Sequence, residues 1–97
     1  MPEFVVTNNE AEKRFEATID GQVAYLEYIP AGQNVVLSHT EVPAGLAGQG
    51  IGGGLVGQVL DMIRAQDQKI IVTCPFVNGY IQRHPSYRDL IFGYRPE

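Results

Sequence analysis

"AGLAGQGIGGGLVGQVLDMIRAQ", residues 44–66, opens like a helix written with the wrong residues. From Ile51 onward the apolar positions fall at Ile51, Leu55, Val59, Met62 and Ile63, which is helical spacing. Yet Gly48, Gly50, Gly52, Gly53 and Gly54 crowd the opening turns. Each glycine in a helix interior costs about 1 kcal/mol relative to alanine. A helix also leaves its first amides without internal partners, and Ser, Thr, Asp or Asn normally caps them. Residues 42–60 contain none of these and no charged side chain. The donors are therefore free, the helix dipole adds positive character, and glycine lets a ligand approach the backbone. An anion, best a phosphate or pyrophosphate, suits such a place.

Outward from this helix the chain alternates between elements. Upstream, Phe4 to Thr7 reads as a short apolar strand. In "RFEATIDG" the apolar Phe15, Ala17 and Ile19 alternate with Glu16, Thr18 and Asp20, the mark of a half-buried strand. Asp20-Gly21 is a hairpin turn signal, and "QVAYLEYI" returns as the next strand. "PAGQN" makes a second turn before "VVLSHTEV", which is apolar on both faces at its start, as a central strand should be. Downstream come the strand "KIIVTC" and a helical piece "FVNGYIQRH", broken at Pro85. Val35 to Thr73 is thus strand–helix–strand, which requires a right-handed crossover between parallel neighbours. The expected fold is a mixed α/β sheet: an antiparallel meander plus one parallel pair, one helix crossing it and a second at the end.

Bulk properties narrow the functions. Ninety-seven residues, 44% hydrophobic and 19% charged, read as one globular domain over 1–97. A net charge of −4 without a Lys/Arg cluster argues against nucleic acid as a partner. No apolar stretch is long enough to span a bilayer, so no membrane partner is expected. The amino-terminal "MPEFVVTNNE" lacks the basic and apolar regions of a signal peptide. The single cysteine, Cys74, excludes an internal disulfide and suits a reducing compartment, most simply the cytoplasm.

Other uses of a glycine-rich turn fit less well. Gly48, Gly50 and Gly53 match G-x-G-x-x-G, but the next strand ends "IVTCP" with no acid for a nicotinamide ribose. No Lys-Ser/Thr pair follows the last glycine, so the P-loop pattern fails. The remaining alternative is that the glycines only allow tight helix–sheet packing.

"HTEVPAGLAGQGIGGGLV" followed by "KIIVTCPFVNGYIQRHPSY" resembles the small single-domain members of the GNAT N-acetyltransferase superfamily, the minimal YjdJ-like type, over about residues 14–92. The resemblance implies a minimal acyl-CoA N-acyltransferase fold with acetyl-CoA as cofactor. It implies that the pyrophosphate binds the backbone of the loop Gly48, Gln49, Gly50, Ile51, Gly52 and Gly53. The usual loop pattern is Gln/Arg-x-x-Gly-x-Gly/Ala. Gly50 and Gly52 fill its last two positions, and Ala47 stands where Gln or Arg is usual. That change removes a bracing side chain and leaves the backbone donors. The helices that typical members carry between their first two strands are missing, which implies a more open acceptor site.

By the same resemblance, the pantetheine arm lies where "VVLSHTEV" and "KIIVTC" splay apart, near Glu41 and Val42. Asn78 corresponds to a CoA-contacting Asn of larger members. Three side chains near this cleft can carry chemistry: Cys74, His39 and Glu41. A lone cysteine at a strand end reads as a small buried hydrophobe, as a nucleophile, or as an acid toward the departing thiolate. The resemblance adds that the "C-P-F" cysteine is the proposed catalytic residue of the small family. Thiolate character would need a neighbouring His or a helix amino terminus, which a helix starting near Phe76 would supply. His39 shares strand parity with Val35, Leu37 and Glu41. It reads either as a hydrogen-bonded structural residue or as the base for an ammonium acceptor. Glu41 would orient His39, bind a cationic amine, or serve as the base itself. No metal is expected. His84, at the end of the last helix, reads as a helix-terminal residue rather than a second base. Tyr80 and Tyr87 read as packing rather than reactive, and Arg83 and Arg88 as a solvated face ahead of contacts to an adenosine-side phosphate.

The function this implies is an acetyl-CoA-dependent N-acetyltransferase acting on a primary amine, either a small molecule or a protein amine. The alternative is a non-catalytic acetyl-CoA-binding module acting as an adapter or regulator.

Overall fold

In a computed structural model, which describes residues 3–96, five strands form one sheet in the order β1-β2-β3-β4-β5. They are β1 (Thr7–Asn9), β2 (Arg14–Ile19), β3 (Gln22–Ala31), β4 (Asn34–Glu41) and β5 (Lys69–Val72). The first four are antiparallel neighbours; β4 and β5 are parallel and are joined by helix α1 (Ile51–Ala65). Helix α2 (Pro75–Arg83) follows β5, then a 3-10 turn over Pro85–Leu90. This is the mixed sheet expected from the order of elements.

Local chemistry explains most boundaries. Asp20 and Gly21 both take positive φ (51° and 74°), which closes the β2–β3 hairpin on Ile19 and Gln22 with two residues. The second turn is tighter than "PAGQN": Pro30 and Ala31 stay in β3, and only Gly32 and Gln33 turn. Proline is tolerated there because Tyr28, two residues earlier, donates its N–H to the carbonyl of Lys13, the residue just before β2. The Pro30 nitrogen points the same way, past the end of β2, so no ladder bond is lost.

The amino-terminal segment differs from the expectation. Phe4–Val6 lie outside the sheet, and pairing with β2 begins at Thr7↔Glu16. Gln58 of α1 straps the segment instead, donating Nε2 to the Phe4 carbonyl (2.9 Å) and accepting from the Val6 amide (3.3 Å). The Phe4 ring fits over Gly54, where a Cβ would come within 3.0 Å of it.

One sheet face carries the core. Phe15, Ala17, Leu26, Val35, Leu37 and Ile70 meet Leu55, Val56, Val59, Leu60 and Ile63 of α1 and Val77 and Ile81 of α2. Both helices pack on this face, since the Tyr80 ring of α2 lies against Gly53 and Gly57 of α1. The opposite face carries Arg14, Glu16, Tyr25, Glu27, His39 and Glu41 in cross-strand register.

That register contains one irregularity. Tyr28 pairs with Leu37 and Glu27 with His39, which leaves Ser38 as an extra residue in β4. Such a bulge shifts side-chain parity for everything after it. Contrary to the parity read from the sequence, His39 and Glu41 do not share a face with Val35 and Leu37. Thr40 takes the covered face opposite fully buried Leu26, and His39 and Glu41 turn to the open one.

Candidate active site

The loop before α1 is built for exposed amides. A 3-10 turn at Ala44–Leu46 ends on extended Ala47, and Gly48 and Gly50 follow with φ of 79° and 74°. Those angles suit glycine and strain any other residue. Gly50 is the N-cap of α1, with no side-chain cap bond and no acidic residue in the first turn. The first helical bond runs from the Gly54 amide to the Gly50 carbonyl (3.0 Å). Among the described residues, the amides of Gly48, Gln49, Gly50, Ile51, Gly52 and Gly53 have no protein acceptor. Six adjacent unpartnered donors thus stand at the positive end of a 15-residue helix, where the helix dipole favours negative charge.

The glycines divide into two groups by what surrounds them. At Gly48, open space surrounds a notional Cβ, and the positive φ is what requires glycine. At Gly52 a Cβ would lie 2.7 Å from the Phe76 ring and 3.5 Å from Val42, and at Gly57 it would lie 2.7 Å from the Tyr80 hydroxyl. The packing alternative therefore accounts for Gly52, Gly54 and Gly57, and backbone conformation accounts for Gly48 and Gly50.

Beside this loop the sheet opens. The last backbone bond between β4 and the chain of β5 runs from the Thr73 amide to the Leu37 carbonyl (3.1 Å). Beyond it β4 continues to Glu41, while the β5 chain turns at Cys74 into α2. "KIIVTC" is thus strand only to Val72, because Pro75 starts the helix. Val42, Gly52 and Phe76 meet at the mouth of the gap.

Cys74 is the N-cap of α2 and belongs to the core cluster, 4% exposed. Its Sγ lies 3.5 Å from Thr40 Oγ1. His39 and Glu41 form a separate pair, Nε2 to Oε1 at 3.0 Å, each side chain about half exposed. The Tyr25 ring lies 6.5 Å from the His39 ring. The structure thus joins His39 to Glu41 and leaves Cys74 on the opposite side of β4. Asn78 is exposed one turn into α2, its amide donating to the Cys74 carbonyl (3.1 Å), and Gln49 is exposed in the loop. Sequence reasoning missed Thr40, since only the bulge at Ser38 turns it toward the thiol.

The tyrosines of α2 and the 3-10 turn serve packing. Tyr80 stacks on His84 at 4.1 Å, and burial, then Asp61, raise its pKa. Tyr87 donates to Asp61 Oδ1 at 2.8 Å; burial first and that bond second push its pKa up to about 12. His84 ends α2, its amide bonded to the Tyr80 carbonyl.

The chain combines a strand–helix–strand unit, whose parallel strands part, with an uncapped glycine-rich helix start, and its fold matches that of an N-acetyltransferase class. By its match to the family profile over residues 14–90, the chain belongs to the GCN5-related N-acetyltransferase family. It is 31% identical over 83 residues to protein NATD1 of Mus musculus, covering 82% of this chain and 76% of that protein. The NATD1 protein of Danio rerio is 29% identical over 91 residues, covering 89% of this chain and 83% of the relative. In three dimensions the chain is similar to a GCN5-like candidate N-acetyltransferase from Staphylococcus aureus, solved in solution by NMR. The TM-score is 0.70 at 26% identity, covering 98% of this chain and 94% of that one.

Proposed function

We propose that residues 1–97 act as one minimal acetyl-CoA-dependent N-acetyltransferase domain that acetylates a primary amine. The observation that carries this reading is the run of unpartnered amides from Gly48 to Gly53 beside the parting of β4 and β5. Those amides hold the pyrophosphate. The end of β4 at Glu41 and Val42 offers backbone groups to the pantetheine arm, and Asn78 offers an amide side chain at the rim. Acetyl-CoA supplies a thioester whose carbonyl accepts an amine and whose thiol departs.

The chain's own groups handle the protons from two sides. On the open face Glu41 holds His39 Nε2, which leaves Nδ1 to take a proton from an ammonium acceptor. The carboxylate also fixes the ring and favours a cationic acceptor. On the covered side Cys74 holds a proton for a leaving sulfur, and the start of α2 stabilises the thiolate that remains. The ammonium nitrogen loses two protons on its way to the amide: His39 takes the first and water the second, while Cys74 gives one to the departing sulfur. Water then deprotonates His39 and reprotonates Cys74, a net release of one proton. A free buried thiol suits a reducing, cytoplasmic compartment.

Calorimetry with acetyl-CoA tests the binding half. Gly53→Pro removes one donor that has no helical acceptor, and it should weaken binding about tenfold, the loss of one hydrogen bond to a charged group. NAD should bind far more weakly than acetyl-CoA, because no acid follows β5. A melting temperature unchanged at millimolar acetyl-CoA would remove this reading. Binding without transfer across a panel of amines would favour the adapter reading. One acetyl group retained on Cys74 in the mass spectrum would replace direct attack by an acetyl-cysteine route.

A further inference from the structure

The extra residue at Ser38 turns Thr40 toward the core, and there its hydroxyl meets the chain's only thiol. Thr40 is half-buried, its cross-strand neighbour Leu26 is fully buried, and Cys74 Sγ lies 3.5 Å from Oγ1. Among the described residues the hydroxyl of Thr40 is the one side-chain hydrogen-bond partner of Sγ. A hydroxyl accepts from an S–H, and by rotating about Cβ–Oγ it donates to a thiolate; a methyl group does neither. Threonine's branched Cβ also restricts the side chain to few rotamers, which keeps the hydroxyl aimed.

We infer that Thr40 is a positioning residue for Cys74, orienting the thiol before its proton leaves and holding the thiolate afterward. The inference rests on the proposed reading, in which the Cys74 S–H bond breaks and its proton goes to the departing sulfur. No bond to Thr40 forms or breaks, and water reprotonates the thiolate.

Thr40→Val keeps the shape and removes the hydroxyl. In the free protein, alkylation of Cys74 by iodoacetamide at one fixed pH, followed by mass spectrometry, should slow about tenfold, and Thr40→Ser should restore it to within about twofold. In acetyl transfer, kcat should fall with the KM for acetyl-CoA unchanged. Should valine prevent folding, Thr40→Ala carries the same expectation. Wild-type alkylation by the valine or alanine variant overturns the inference, as does failure of serine to rescue. Full acetyl transfer by Cys74→Ala would instead sink the thiol's part in the reaction, and the alkylation rates would still judge the hydrogen bond.

Discussion

Tyr87 shows how one side chain ties surface chemistry to stability. Its phenol donates to Asp61 on α1, so ionising it would set two negative charges side by side in a half-buried place. The protonated phenol is favoured in the fold, with a pKa raised from its ordinary value near 10 to about 12. Its contribution is therefore fully present below pH 10 and is lost as the pH rises toward 12. Tyr87→Phe should cost about 0.5–1.5 kcal/mol near neutral pH, the worth of one hydrogen bond. In denaturant melts at increasing pH, the wild-type advantage should fade across that window. A constant difference from pH 8 to 12 would contradict the assignment.

At the scale of elements, α1 and α2 approach through small residues. The glycine cost in a helix interior is offset at Gly57 by the Tyr80 ring, whose hydroxyl occupies the place of a Cβ. Gly57→Ala should therefore destabilise by about 1–2 kcal/mol through overpacking, despite alanine's better helix propensity. With the hydroxyl removed in Tyr80→Phe, the next ring atom lies 3.6 Å from that Cβ, an ordinary contact. In that background the same alanine should be neutral or stabilising by up to about 1 kcal/mol. A double-mutant cycle by chemical denaturation measures the coupling, and additive effects would refute the contact. The apolar stripe of α1 was legible because it repeats within the element. The aromatic partners of its glycines were not, because Phe4 and Tyr80 lie far along the chain.

Across the whole molecule, two arginine–carboxylate pairs make stability sensitive to acid. Arg64 grips Asp89 at 2.7 and 3.0 Å and also donates to the Ser86 carbonyl, fastening the 3-10 turn to α1. On the open sheet face Arg14 pairs with Glu16 and stacks over Tyr25. The arginine hydrogen bond is the main reason each carboxylate titrates below its ordinary range. A lowered pKa gives stability that is present above the ordinary value near 4 and is lost as the pH falls through the lowered one. Both pairs are partly exposed, so solvent screens them; Asp89→Asn should cost under about 1 kcal/mol at neutral pH. Melting temperatures from pH 7 to 2 should show the variant and wild type converging at the acid end. A gap that widens there would reverse the sign.

By itself the sequence determined the order of elements, the Asp20-Gly21 hairpin, the uncapped start of α1 and the residues available for chemistry. Each is a matter of neighbours: alternation, turn dihedrals, missing caps and a single thiol are all written within a few residues. Only the tertiary structure decided which of those residues meet. The bulge at Ser38 arises from pairing β4 with β3, and it reversed the face on which His39 and Glu41 stand. Gln58 took Phe4–Val6 away from the sheet through bonds spanning 52 and 54 residues. Thr40 and Cys74, 34 residues apart, meet only because the parallel pair brings the chain back beside β4. Pairing register and long-range packing depend on surfaces that exist only once the chain has folded, so no local pattern records them.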